Sequence, residues 1–416
     1  MAPWAEHVMW WQVYPLGFAG VEVREEHRAP TADGGLRALL PWLDHVQELG
    51  LNGLLLGPIF ASSTHGYDSL DWFTIDERLG TRADFDELIT ACRARGIRVL
   101  LDGVFNHVGR EHPWAQRALA EGRDGEYADW FRIEWDAPGG PRFADFEGHS
   151  SLVALNHGNP AVVDAVREAM AFWLGAGADG WRLDAAYAVE PGFWAAVLPQ
   201  VRAAHPEAGI LGEMIHGDYS AYVAASGIDS VTEYELWKAT WSSLKESNFF
   251  ELDWTMGRHN ALLDSFVPQT FVGNHDVTRI ASQVGVQKAV LALTVLATVG
   301  GVPSIYYGDE IGMPGVTEER WGGDDAIRPA FPPSPSELDV GDGRVLRAHQ
   351  ALIGLRRRHP WLLRARTEMV ELSNTRYVYR TRSGQPGESL EVTLDVTETP
   401  WAEIRTEAGE VCFSSR

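Results

Sequence analysis

Three carboxylates stand at the ends of apolar, strand-length runs in this sequence. Asp184 closes Gly-Trp-Arg-Leu, Glu213 closes Gly-Ile-Leu-Gly, and Asp276 closes Phe-Val-Gly-Asn-His. A further run at 98–102 ends in Asp102 and leads to Asn106 and His107 in DGVFNHVG. A carboxylate at the end of a buried strand is costly to desolvate unless it is paired or used. The intervals between these runs leave room for a helix, so the strand ends can meet in one shared pocket. In a (β/α)8 barrel that pocket lies at the C-terminal ends of the strands, and gathered carboxylates there suit acid–base and nucleophilic chemistry.

The elements needed to position them are legible as an alternation of strand and helix signals. Strands are expected over 9–14, 53–56, 98–102, 180–184, 210–213, 230–232, 270–272 and 303–306, with helical periodicity over 36–49, 83–95, 160–174, 191–205, 287–299 and 344–358. This predicts an α/β fold, a (β/α)8 TIM barrel built from 1–106 and 151–362. Residues 107–150, aromatic-rich and loop-like, form an inserted subdomain after the third strand. Residues 363–416, whose apolar positions alternate, form a short C-terminal β-domain. The length of 416 residues exceeds a minimal barrel of about 250 by enough for both additions.

Taken together and in order, DGVFNHVG (102–109), GWRLDAA (180–186), LGEMIHG (211–217) and FVGNHDVTR (271–279) resemble the four signature regions of the α-amylase family of glycoside hydrolases (family 13). WWQVYPLGF (10–18), GYDSLDWFTIDERLGT (66–81), LNHGNP (155–160) and GVPSIYYGDEIGM (301–313) agree with it, so the resemblance covers roughly 8–360. It implies a retaining enzyme acting on α-1,4-glucosidic bonds of maltooligosaccharides and α-glucans, with Asp184 as nucleophile, Glu213 as acid/base and Asp276 as the third carboxylate. Tyr67 resembles the family's stacking tyrosine, and His107 and His275 its two sugar-binding histidines. Asp102 resembles the aspartate that ties the third strand to Arg182. The segment GDEIGMPGV places the nearest members among neopullulanases, cyclomaltodextrinases and α-glucosidases, although Met214-Ile215-His216 after the acid/base departs from their tryptophan-containing patterns. A transglycosylase or glucosyl isomerase would use the same covalent intermediate. A non-catalytic sugar-binding relative would usually have lost one of these carboxylates.

The division of labour has a physical basis. Arg182 lies two residues before Asp184, so both side chains share a strand face and the cation favours the ionised nucleophile. Glu213 has no cation adjacent in sequence, which leaves room for the raised pKa an acid requires.

Composition excludes other classes. The formal charge of −23 argues against nucleic acid, whose phosphates want a basic surface. No apolar run reaches membrane-spanning length, since 289–307 is broken by Gly300, Gly301 and Pro303. Two cysteines, Cys92 and Cys412, give no disulfide framework and fit a reducing, cytoplasmic setting. GAGADG at 175–180 follows a helix and enters a strand, the reverse of a dinucleotide site. No cofactor is expected. Asn106 occupies a position where the family often binds calcium, but its other calcium ligands find no match, and 17–35 lacks calcium-loop spacing. Of the tryptophans, most suit the core and some suit sugar platforms. Trp114, Trp130, Phe131 and Trp135 are expected to crowd the pocket mouth and favour short oligosaccharides over starch.

Overall fold

In the computed structural model, which describes residues 2–24 and 34–416, eight parallel strands form the barrel. They are β1 (Trp10–Val13), β2 (Gly53–Leu56), β3 (Arg98–Gly103), β4 (Gly180–Leu183), β5 (Gly209–Gly212), β6 (Ser230–Val231), β7 (Gln269–Phe271) and β8 (Val302–Tyr306). Their hydrogen-bonded order is β6-β5-β4-β3-β2-β1-β8-β7. A parallel bridge between Thr232 and Gln269 brings β6 to β7 and closes the ring. All eight strands read from the sequence are present, each end within about one residue. The stretch 17–35 considered for a calcium loop lies in part outside the described residues.

Helices follow the strands where apolar periodicity is strong. Arg82–Ala94 begins on a capping box, with Thr81 and Asp84 exchanging side-chain-to-backbone hydrogen bonds. Pro160–Gly175 begins on Asn159, whose side chain accepts from Ala161 N–H at 2.9 Å. The stretch 36–49 divides: Gly35–Trp42 is a 3-10 helix containing Pro41, which has no N–H to donate, and only Leu43–Glu48 is α-helical. Tyr219–Ser226, Tyr234–Glu246 and Phe250–Leu262 lie outside the helices read from the sequence. The second of these turns Thr240, Ser242 and Ser243 inward, which blurs the apolar stripe that periodicity detects.

Side-chain alternation along the strands sorts the barrel interior into layers. Trp10, Leu55, Leu100, Leu211 and Val302 pack with Val8 and Val267 as a separate apolar cluster. Two residues further along the same faces stand Gln12, Asp102 and Glu213. The floor of the pocket is therefore apolar and its wall polar. Outside the barrel Trp11 stacks on Trp42 with ring centroids 6.0 Å apart, and Phe18 and Phe331 complete that packing.

The insertion after β3 is more regular than its sequence suggests. Strand His107–Gly109 pairs antiparallel with His149–Ala154, which also pairs with Asp145–Phe146, and Pro113–Glu121 is helical. Beyond the last barrel helix (Arg344–Arg358), five antiparallel strands run in sequential order: β9 (Arg366–Leu372), β10 (Arg376–Arg382), β11 (Ser389–Asp395), β12 (Trp401–Thr406) and β13 (Val411–Ser414). The sheet is tied to the barrel helices by Tyr379 Oη at 2.6 Å from Thr298 Oγ1, and by Tyr377 donating to Asp253 at 3.0 Å.

Gly53 faces the Trp10 ring: a Cβ there would lie 2.3 Å from Trp10 Cε3 and 2.5 Å from Val8 Cγ2. Gly53→Ala is expected to lower stability by about 1–3 kcal/mol through overpacking. Urea unfolding should show this as a reduced midpoint with an unchanged slope.

Candidate active site

The ends of β3, β4 and β5 meet at one cation. Arg182 Nη1 donates to both oxygens of Asp102 at 2.7 and 2.8 Å and to Asp184 Oδ1 at 3.1 Å. Its Nη2 donates to Glu213 Oε1 at 2.6 Å. All four side chains are buried. Asp102 and Arg182 are register partners on neighbouring parallel strands, which sets them at one height. The expectation that Glu213 stands clear of cations is thus corrected. Arg182 is remote from Glu213 in sequence but reaches across from β4.

Backbone strain serves the same carboxyl. Ala185, immediately after Asp184, adopts φ 46°, a left-handed conformation unusual for a residue with a Cβ. Its N–H donates to Glu213 Oε2 at 2.9 Å.

Burial decides the protonation directions. It pushes Asp102 up to about 6 despite the Arg182 charge, and it overturns the expectation that Arg182 keeps Asp184 ionised: burial, with the Glu213 charge adding to it, outweighs the cation and pushes Asp184 well above the ordinary carboxyl range. One guanidinium shared by three carboxylates leaves the cluster short of positive charge, so it must retain a proton. Desolvation lowers His107 to about 4 and His275 far below its ordinary value, so both imidazoles are neutral. Tyr67 is raised by burial and by Asp102.

Asp276 comes from the loop after β7. Its Oδ2 lies 3.1 Å from His275 Nε2, and its Oδ1 accepts from Arg328 Nη2 at 3.0 Å. Arg328 also pairs with Asp324 at 3.2 Å and lies over the Tyr14 ring at 4.8 Å. Tyr67 Oη lies in hydrogen-bond contact with His275 Nε2 and 3.3 Å from Asp102 Oδ2. The eight residues singled out in the sequence, Asp102, Asp184, Glu213, Asp276, Tyr67, His107, Arg182 and His275, therefore gather on one rim. His107 is the least available: its Nε2 bonds the Tyr67 carbonyl at 3.0 Å, its Nδ1 meets Asn106 Nδ2 at 3.1 Å, and Phe146 stacks on its ring at 4.7 Å.

Four further residues belong here that the sequence reading passed over. Gln12 Nε2 lies 3.1 Å from His275 Nδ1, which places the imidazole proton on Nε2, toward the pocket. Arg328 fixes Asp276. Tyr234 donates to Glu213 Oε1 at 3.3 Å and accepts from Asn274 at 2.8 Å. The period-2 parity of β1 was the signal available for Gln12. Arg328 sits in a loop, without any such signal.

The aromatic mouth is also corrected. Trp114, Tyr127 and Trp130 pack on one another and Trp114 also on Trp72, with centroids of 4.6 Å for Trp114–Trp130 and 5.3 Å for Trp72–Trp114. Phe131 is buried against Phe143, and Trp135 is half-buried. Trp114, Tyr127 and Trp130, each half-buried, and the buried Phe131 pack within the insertion, with Trp72 joining them from outside it. The wall near the carboxylates comes instead from Phe146 over His107 and from Tyr187, whose hydroxyl donates to Glu147 at 2.8 Å.

Asn106 is buried with its amide directed at His107, and among the described residues no group of three or more His, Cys, Asp or Glu side chains is placed to hold a metal ion.

Arg182 balances charge, and that has a measurable consequence. Because Asp102 and Asp184 are raised in the folded state, the fold holds protons that the unfolded chain has released. Their contribution to stability therefore falls as pH climbs from about 4 through the folded values. Removing the cation enlarges that loss. Arg182→Met should cost about 3–5 kcal/mol at pH 8 and clearly less at pH 5, where the carboxyls accept protons. Urea unfolding at the two pH values checks this, and equal losses would refute a charge-balancing role.

Comparison with known proteins agrees with the geometry. The family description "Alpha amylase, catalytic domain" matches residues 12–331. A maltogenic α-amylase of Bacillus acidopullulyticus is 31% identical over 86% of this chain and 64% of its own length. A cyclomaltodextrinase of a Bacillus species is 32% identical over 75% of this chain and 60% of its own. The chain thus spans less than two thirds of the length of these relatives. Among solved structures, the cyclic α-maltosyl-(1→6)-maltose hydrolase of Arthrobacter globiformis, in complex with that sugar, superposes with a TM-score of 0.82 at 27% identity, covering 95% of this chain and 91% of that one. The barrel, its strand-end carboxylates and a family match over residues 12–331, most of the chain, establish that this chain belongs to the α-amylase family.

Proposed function

We propose that the chain is a retaining glycoside hydrolase that cleaves α-1,4-glucosidic bonds in maltooligosaccharides. The observation that carries this reading is the convergence of Asp184 and Glu213 on one guanidinium at the C-terminal rim of the barrel. Asp184 attacks the anomeric carbon while Glu213 gives its proton to the departing glycosidic oxygen, and a covalent glycosyl-enzyme forms. Water then attacks that intermediate, with Glu213 taking its proton, and the sugar leaves with its α configuration retained. Burial raises Asp184 in the resting site, so the reaction requires that Asp184 has given up its proton when sugar is bound.

Asp276, steadied by Arg328 and His275, accepts hydrogen bonds from sugar hydroxyls, and Tyr67 offers its ring to the sugar face. These steps use carboxylates alone and need no cofactor. The names of the relatives, a maltogenic amylase and a cyclomaltodextrinase, support an α-glucan oligosaccharide substrate. So does the wall of Phe146 and Tyr187, which narrows the approach to the carboxylates. Free thiols at Cys92 and Cys412 fit a reducing, cytoplasmic setting.

Asp184→Asn and Glu213→Gln are each expected to lower turnover of maltotriose by about a thousandfold or more while melting like the parent protein. Activity above a few per cent of the parent in either purified variant refutes the assignment. Proton NMR of freshly released maltose should show the α-anomer first, and initial β-anomer would exclude the double displacement. In one parallel assay kcat/KM should be higher on maltotriose to maltoheptaose than on soluble starch. Starch as the best substrate would show an open groove.

A further inference from the structure

An acid/base must be comfortable in two states, and most of what surrounds Glu213 suits only one. Its Oε1 accepts from Arg182 Nη2 at 2.6 Å and its Oε2 from Ala185 N–H at 2.9 Å. A guanidinium and a backbone N–H can donate but never accept. Both therefore favour the carboxylate and give a protonated Glu213 nothing to bond to.

Tyr234 is different. Its hydroxyl lies 3.3 Å from Glu213 Oε1, at the start of the helix that follows β6, and the side chain is buried. Asn274 fixes which of its bonds are free. The Oδ1 of Asn274 accepts from Asp276 N–H at 2.9 Å, so its Nδ2 must be the atom that faces Tyr234, donating at 2.8 Å. That donation fills one lone pair of the phenolic oxygen. The hydroxyl proton and a second lone pair remain for Glu213. Tyr234 can thus donate to the carboxylate and, with the hydroxyl turned, accept from the carboxylic acid. Its ring is held independently by Phe271 at 4.9 Å and Trp237 at 5.6 Å.

We propose that Tyr234, oriented by Asn274, is a positioning residue that partners Glu213 in both of its protonation states and so supports proton donation in the first half of the reaction and proton capture in the second. The inference rests on reading Glu213 as the acid/base. The other charged and titratable groups that face Glu213 are Arg182, Asp102, Asp184, Tyr187 and His275. Arg182 and His275 present donors to the pocket, the carboxylates repel a second negative charge, and the Tyr187 hydroxyl is committed to Glu147. Among the described residues the Tyr234 hydroxyl is therefore the neighbour of Glu213 able to reverse its bond.

The test is Tyr234→Phe, which keeps the packed ring and deletes the hydroxyl. Its kcat/KM is measured from pH 4 to pH 10 on maltotriose and on α-maltosyl fluoride, whose leaving group needs no proton. Thermal melting and Glu213→Gln are run alongside. The variant should lose roughly tenfold on maltotriose and stay within about twofold on the fluoride. The bond lost from the carboxylate is charge-assisted and the stronger of the two, so the basic limb on maltotriose should move up by about half a pH unit to one unit. An unmoved basic limb, or equal losses on the two substrates, overturns the proposal. Glu213→Gln separates the failures. If it remains active on maltotriose, the acid/base reading itself is wrong; if it is inactive there but turns over the fluoride while Tyr234→Phe behaves as the parent, only the role of Tyr234 falls.

Discussion

Arg182 in contact with Asp102, Asp184 and Glu213 is the interaction on which the barrel mouth depends. Buried carboxylates repel one another and lose hydration. A single guanidinium compensates them only in part, because its planar fork can face several acceptors but carries one charge. The shortfall is met by a retained proton. Burial favours the protonated form of Asp102 and Asp184, whereas the proposed cleavage needs Asp184 ionised, so the resting cluster and the reacting one differ in where that proton sits. Removing Arg182 would leave three buried carboxylates uncompensated and destabilise the fold.

Only some architectures could assemble such a cluster. β3, β4 and β5 are parallel neighbours, so their C-terminal ends lie on one rim, and the register pairs Arg182 with Asp102 directly. An antiparallel arrangement would send alternate strand ends to opposite rims. Alternation then separates wet from dry: Trp10, Leu100 and Leu211 fill the interior below, two residues from Gln12, Asp102 and Glu213. The strained turn at Ala185 adds a backbone donor where no side chain reaches Glu213 Oε2.

What could be read from the sequence followed the same logic. The strands and the carboxylates closing them were legible because period-2 burial and a polar terminus are local signals. Asp184, Glu213 and Asp276 announced themselves as ionisable residues where an apolar run should continue. The cation serving Glu213 did not, since it arrives from the adjacent strand, and contact between strands is not written in either one. The aromatics at 114–135 were legible as apolar but not as facing inward. Whether a tryptophan lines a pocket or fills a core depends on what packs against it, and here Trp72 comes from outside the insertion altogether. Tyr234 and Arg328 were invisible for a related reason. A hydroxyl at a helix start and an arginine in a loop gain meaning only from the carboxylates they meet.

The neutral state of the two histidines completes the electrostatic argument. With burial holding His107 down to about 4 and His275 well below its ordinary value, the cations at the rim are Arg182 and Arg328, and each is already bound to carboxylates. On the proposed reading the substrate is a neutral sugar that brings no charge to offset, so the site has to be balanced before it arrives. Recognition then rests on hydrogen bonds from groups whose donor and acceptor senses are fixed in advance. Gln12 sets the tautomer of His275, Arg328 and His275 hold Asp276, and Asn274 sets the hydroxyl of Tyr234. Each of these is a second polar group buried to orient a first.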